Sequence, residues 1–282
     1  MPLQAQEKLK IYISADMEGV VGAVTGEQLG PSGFEYQRFR EFMTKEVNVA
    51  IEAAFKAGAT EILVSDSHGN GQNLLIEKLP ENVQVVRAWP RPLMMMQGID
   101  ETFDGAIFLG YHSSTSNSEG VRAHTMSSAN LADVRLNDVP MTEASINAAI
   151  AGDFDVPIIM ISGDDAAVEE AQKVIGDIEG AVVKWNYGFH SARTLTPEAA
   201  YKVIAASVTR AMERIEDFKP YKPKAPLKLD VRFKNYRPAE ILGYLRFVER
   251  IDSHTIRYVG QDMTDISKFI EFLLTYRADL SP

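Results

Sequence analysis

"ISADMEGVVG", Ile13 to Gly22, begins as an apolar run and ends in two acids one residue apart, Asp16 and Glu18, followed by small residues. A carboxylate placed in a protein interior without a partner is costly, so a pair at the end of a core strand needs a neutralising group. In extended backbone, residues i and i+2 point the same way, so both carboxylates converge on one centre. The first question for the rest of the chain is therefore what stands opposite this pair.

Further apolar runs share the texture of the first, "LKIYISA" (9–15): "EILVSDS" (61–67), "GAIFLGYH" (105–112), "VPIIMISGD" (156–164) and "GAVVKW" (180–185). Apolar character without alternation suits strands covered on both faces, as in a parallel sheet. Between them, "FREFMTKEVNVAIEAAFKAGA" (39–59) has helical spacing and a stop at Gly58, and 142–154, 165–178 and 196–215 follow the same pattern. The expected fold is α/β, a mainly parallel sheet flanked by helices. "DFKPYKPKAP" (217–226) reads as a Pro- and Lys-rich connector. Beyond it "LKLDVRF" alternates like a half-exposed strand and "DISKFIEFLLTYRADL" (265–280) is helical. The chain divides on this reading into an α/β metal-binding domain, 1–216, and a smaller C-terminal α+β portion, 217–282.

Composition narrows the chemistry. Of 282 residues 45% are hydrophobic and 24% charged, the balance of a soluble globular protein. The net charge of -10 argues against nucleic acid or an anionic membrane surface as a partner. With no cysteine, disulfides, thiolate metal sites and a cysteine nucleophile are excluded together. "MPLQAQEKLK" lacks the apolar segment of a signal peptide, and no later run suits a bilayer span, so a cytoplasmic location is expected.

Three core runs close on metal-capable side chains: Asp16 and Glu18, then Asp66 and His68, then His112. In open α/β sheets ligands bind beyond the carboxyl ends of the strands, so three such strands deliver these groups to one place. Carboxylates and imidazoles without sulfur suit zinc or manganese, and a short-spaced carboxylate that bridges two ions suits a two-metal hydrolase. Two further candidates follow: His124 in the polar "EGVRAHTMSSAN" and Glu143 at the head of the helix in "MTEASINAAIAG".

Each has a plainer reading. Asp16 suits a strand-end turn, His68 an exposed turn, His112 a satisfied core histidine and Glu143 a first-turn acid stabilised by the helix dipole. The coincidence of three of the five histidines at strand ends or adjoining loops favours a site. His190 and His254 read as surface or structural. The glycines of "EGVVGAVTGEQLG" match no phosphate-binding fingerprint, and no Gly-x-Ser-x-Gly elbow is present. The methionines of "RPLMMMQG" read as packing or as a contact surface, exposed enough to serve an interface.

"YISADMEGVVG", "SDSHGNGQNL", "GAIFLGYHS", "AHTMSSANLADVRLND", "MTEASINAAIAG" and "VPIIMISGDD" together resemble the zinc D-aminopeptidase family, in order and spacing over nearly all of the chain. The resemblance implies Asp16, Glu18, His68, His112 and Glu143 as ligands of two Zn²⁺ ions per subunit, with Asp16 bridging, and His124 as the catalytic histidine. It implies metal-assisted hydrolysis of short peptides with an N-terminal D-residue, of the D-Ala-D-Ala type, by a ring-shaped homo-oligomer, a decamer. Two places depart from the family pattern, Asn137-Asp138 where Asn-Gly is expected and Thr142-Glu143 where Gly-Glu is expected. Another dinuclear amidohydrolase or phosphoesterase, or a non-catalytic metal-dependent peptide-binding protein, are the rival readings.

Overall fold

The computed structural model describes residues 8–276. In chain order its strands are β1 (Lys10–Ala15), β2 (Glu61–Asp66), β3 (Val83–Val86), β4 (Gly105–Tyr111), β5 (Leu131–Leu136), β6 (Val139–Pro140), β7 (Ile158–Asp164), β8 (Glu179–Gly188), β9 (Ser191–Thr194), β10 (Leu227–Phe233), β11 (Val248–Arg250) and β12 (Thr255–Gly260). The helices are α1 (Gly26–Leu29), α2 (Tyr36–Lys56), α3 (Glu143–Asp153), α4 (Asp165–Ile175), α5 (Pro197–Glu213), α6 (Tyr236–Leu242) and α7 (Met263–Thr275).

The first sheet runs β3-β2-β1-β4-β7-β8-β9, parallel throughout except for the β8–β9 hairpin at its edge. Every residue of β4 and β7 is buried, the expected consequence of helices on both faces. Strand order reverses between β1 and β4, since the chain builds outward to β2 and β3 on one side and to β7 and β8 on the other. In such sheets the crevice for a ligand opens beyond the carboxyl ends at that reversal.

The two central strands approach so closely there that side chains are excluded. A Cβ on Gly19 would lie 2.0 Å from the Tyr111 carbonyl oxygen. One on Gly110, which also sits at φ +68°, would lie 2.3 Å from that of Asp16. In return Gly19 N–H donates to the Gly110 carbonyl at 2.6 Å and Asp16 N–H to that of Leu109 at 2.8 Å, which pins the segment after β1 against β4.

The second sheet, β11-β12-β10-β5-β6, is antiparallel. It draws strands from both sides of the 217–226 connector, because β5 and β6 come from residues 131–140. Asn137 and Asp138 form the turn between them, both at positive φ (51° and 67°). That geometry favours Asn-Gly, so Asp138 occupies a position better suited to glycine. Thr142, the second departure, caps α3. It accepts the Ser145 amide at 2.8 Å while the Ser145 hydroxyl accepts that of Thr142 at 2.8 Å.

Helix α7 ties the layers together. Asp153, at the end of α3, accepts the amides of Met263 and Thr264 at 2.7 and 3.1 Å, and Phe269 stacks on Tyr258 of β12 with ring centroids 4.1 Å apart. On its other side Ser267 donates to the Pro92 carbonyl at 2.7 Å. The Leu93–Met96 run beneath it is buried, which corrects the reading of these residues as an exposed interface: α7 and the first sheet already cover them. The helix expected over 265–280 begins at Met263 and ends at Thr275, and positions 277–280 lie outside the described residues. So do positions 1–7 of the opening segment. Among the described residues no helix is long and apolar enough to cross a membrane.

Candidate metal centre

Six of the seven residues singled out in the sequence come together beyond β1, β2 and β4, at the reversal of strand order. Asp16 stands at the centre, 2% exposed. Its Oδ1 lies 3.1 Å from His68 Nδ1 and its Oδ2 lies 3.3 Å from His112 Nε2, so the two oxygens face different histidines. Glu18 Oε2 joins the first side at 2.8 Å from His68 Nδ1. Glu143 Oε1 joins the second, 3.4 Å from His112 Nε2 and 3.6 Å from His124 Nε2. The His112 and His124 rings stack at 4.0 Å, nearly parallel. The potential ligand atoms of Asp16, Glu18 and His112 lie within 4.8 Å of one another, as do those of His112, His124 and Glu143.

Partners outside the centre fix which nitrogen of each imidazole faces inward. A carbonyl oxygen only accepts, so His68 donates from Nε2 to Leu29 (2.6 Å), His112 from Nδ1 to Ser113 (3.0 Å) and His124 from Nδ1 to Arg122 (2.8 Å). The remaining nitrogen of each ring then presents a lone pair to the centre, the arrangement typical of metal-bound histidines. Asp16 Oδ2 and His112 Nε2 are buried without hydrogen-bond partners although they face one another. Two acceptors set face to face fit a cation between them, and this donor set of oxygens and imidazole nitrogens fits zinc.

The protonation balance carries the same message. Burial works against charge on His68, yet Glu18 and Asp16 hold it well above the usual histidine range. His112 is raised likewise against burial by Glu143 and Asp16. Burial acts to raise Glu18, but His68, then His124 and His112, hold it well below the usual carboxylate range. Asp16 is raised by burial and by Glu18. The centre demands positive charge, and a metal ion supplies it without protonating the histidines.

Side chains behind the centre hold its loops. Asp66, grouped with the ligands in the sequence because it closes β2, turns instead into the following loop. There it accepts the amides of Asn73 and Leu74 at 2.6 and 2.8 Å, which shapes the turn that carries His68. Lys184, on β8, is fully buried and donates to the carbonyls of Glu18, Val20 (3.2 Å) and Ala23 (2.6 Å). Burial pushes its ammonium down to about 8. Glu46, from α2, accepts the Val21 amide at 2.9 Å, and burial pushes its carboxyl up to about 7. Neither was singled out in the sequence. A lysine inside the apolar run "GAVVKW" was the available signal, whereas Glu46 looks like any acid on an amphipathic helix.

The centre opens into a cavity of about 390 Å³. Asp16, Glu18, His68, His124 and Glu143 line one end, and Trp89, Met94, Met95, Met126 and Leu274 make its apolar walls. His190 and His254 are not among its lining residues; His190 is exposed and pairs with Arg122 at 2.9 Å.

Comparison with known proteins agrees over the whole of this architecture. A family model described as D-aminopeptidase matches residues 9–272. The chain is 34% identical over 261 residues to a D-aminopeptidase of Bacillus subtilis (strain 168), covering 91% of this chain and 93% of that protein. Its fold superposes on a solved structure described as the Zn-dependent D-aminopeptidase DppA from Bacillus subtilis, a self-compartmentalizing protease. The TM-score is 0.90 at 32% identity, covering 97% of this chain and 100% of that one. The chain belongs to the D-aminopeptidase family and is a peptidase.

Proposed function

We propose that this peptidase uses two Zn²⁺ ions per subunit to remove a D-residue from the amino end of short peptides of the D-Ala-D-Ala type. The observation that carries the reading is Asp16, whose two oxygens face two different ligand groups, His68 with Glu18 and His112 with Glu143. Asp16, Glu18, His68, His112 and Glu143 would hold the two ions, with Asp16 shared between them. Two divalent ions held there would supply a water of lowered pKa and a Lewis acid for the scissile carbonyl.

The chain's own groups do the rest. His124, its Nδ1–H held by the Arg122 carbonyl, presents Nε2 to the cavity beside Glu143. From there it would take a proton from the attacking water and return it to the leaving amine, or, once protonated, donate to the developing oxyanion. Lys184 fixes the backbone of the Glu18–Ala23 loop, so the carboxylates keep their aim. The apolar walls exclude water from the side of the substrate away from the centre.

Among the described residues, the cavity lining contains no Lys or Arg to grip a phosphate, which favours a peptide over a phosphoester. Assembly as a homo-oligomeric ring, a decamer, and a cytoplasmic location complete the proposal; the solved relative is described as self-compartmentalizing. The test is hydrolysis of a panel of D- and L-aminoacyl amides and dipeptides, before and after chelation and after zinc return. Chelator-sensitive cleavage of the D-series is expected. Equal cleavage of L-substrates would remove the stereochemical claim, and cleavage unaffected by complete metal removal would remove the metal claim.

A further inference from the structure

The cavity lining holds a further carboxylate that the proposed chemistry does not use. Glu271, on the last turns of α7, lines the cavity and is only 8% exposed. One carboxylate oxygen accepts the Arg91 backbone amide at 3.3 Å, a long bond. The Arg91 guanidinium is engaged elsewhere: it donates to the Ala88 carbonyl, to the Ser65 hydroxyl at 2.9 Å and to the Asp66 carbonyl at 2.9 Å. Among the described residues Glu271 thus forms no salt bridge, and burial raises its carboxyl above the usual range against the opposing pull of the Arg91 amide and the nearby Arg91 charge.

A buried carboxylate with a single weak donor, facing a cavity, is completed by a cation from outside. Trp89, Met95 and Leu274, which line the same cavity, are apolar and suit an alkyl chain that carries such a cation. Glu271 also sits near the carboxyl end of α7, where the helix dipole favours positive charge.

We infer that Glu271 is a specificity residue that binds an alkylammonium group of the substrate, so that the cavity pairs a hydrolytic centre with a cation-recognising carboxylate. The inference deepens the aminopeptidase reading and rests on it for the identity of the ligand. In a peptide the ammonium comes either from the free amino terminus or from the side chain of a basic N-terminal residue. Both present the same donor to the carboxylate, and a cavity of about 390 Å³ is far larger than an alanine side chain requires.

The test is calorimetric titration of the zinc-loaded full chain, wild type and Glu271→Gln, with D-lysinamide, D-norleucinamide and N-acetyl-D-norleucinamide. The glutamine keeps an acceptor for the Arg91 amide, so the fold has no reason to change. Loss of one charge-assisted contact is expected to weaken the ammonium-bearing probes by about tenfold or more and to leave the acetylated probe unchanged. A greater loss for D-lysinamide identifies the side-chain ammonium; equal losses for the first two identify the amino terminus. Equal change in all three affinities, or none, overturns the inference. If the wild type cleaves no D-aminoacyl substrate while the charge-dependent contrast persists, the aminopeptidase reading fails and the cation site stands.

Discussion

The two sets of groups around the cavity are positioned by different means. On one side Asp16, Glu18, His68 and His112 stand just beyond the last residues of β1, β2 and β4, strands whose register is fixed by a continuous parallel ladder. Glu271, Leu274 and Thr275, which also line the cavity, sit on helix α7, placed by distant contacts to Asp153, Tyr258 and Pro92. A strand-end residue is positioned by its neighbours in sequence. A residue on a covering helix is positioned by whatever that helix packs against. The first arrangement holds chemistry that must not vary, and the second can change its contacts with substrate without disturbing the ligands.

The sharpest way to break this comparison is at Asp16. Asp16→Ala is expected to lose both metal ions and to abolish detectable turnover, while His68→Ala spares the ion on the His112 side. Metal content per chain by elemental analysis reads the difference, and equal retention in both variants would end the bridging role. His124→Ala should keep both ions and lower turnover by about 10²–10⁴. His124 packs over His112 without closing a core strand, so its thermal midpoint should scarcely move. Metal loss in that variant would make His124 a ligand.

Beneath the strand-end side, Glu46 gives a smaller effect with a definite sign. Its carboxyl is held at about 7 instead of 4.5, so the folded chain keeps a proton that the unfolded chain has released. Its contribution to stability is therefore present below about pH 4.5 and is lost as the pH rises through about 7. The full span amounts to about 3 kcal/mol. Denaturant unfolding of wild type and Glu46→Gln at pH 5 and pH 8 should show the variant gaining on the wild type at the higher pH. A pH-independent difference would contradict the assignment. The smallest effect lies at the β5–β6 turn. Asp138→Gly relieves a positive φ of 67° and should stabilise by about 0.5–1 kcal/mol, read as a shifted denaturation midpoint at constant slope.

The comparison also explains what the sequence made legible. Continuous apolar runs ending in Asp16, His68 and His112 named both the sheet and the place where the groups converge, because a parallel strand fixes where its last residue points. Glu143 needed the family resemblance, since an acid in the first turn of a helix is ordinary. Asp66 obeyed the same strand-end rule and yet turned into its own loop, where the amides of Asn73 and Leu74 hold its carboxylate. The second sheet was half visible: "LKLDVRF" announced β10, but nothing local marks β5 as its partner across so long a stretch of chain. Glu46 and Glu271 were hidden for the same reason, since their burial comes from segments remote in sequence.

That long-range pairing has a consequence for the order of events during synthesis. β5 and β6 lie between His124 and Glu143, and β5 gains its inner neighbour only when β10 pairs with it. β10 leaves the ribosome after β7, β8 and α5 have already emerged, and α7, which closes the cavity, comes later still. The strand-end ligands of β1, β2 and β4 are thus available early, while the loop of His124 and the head of α3 settle late. A growing chain is a sheet before it is a peptidase.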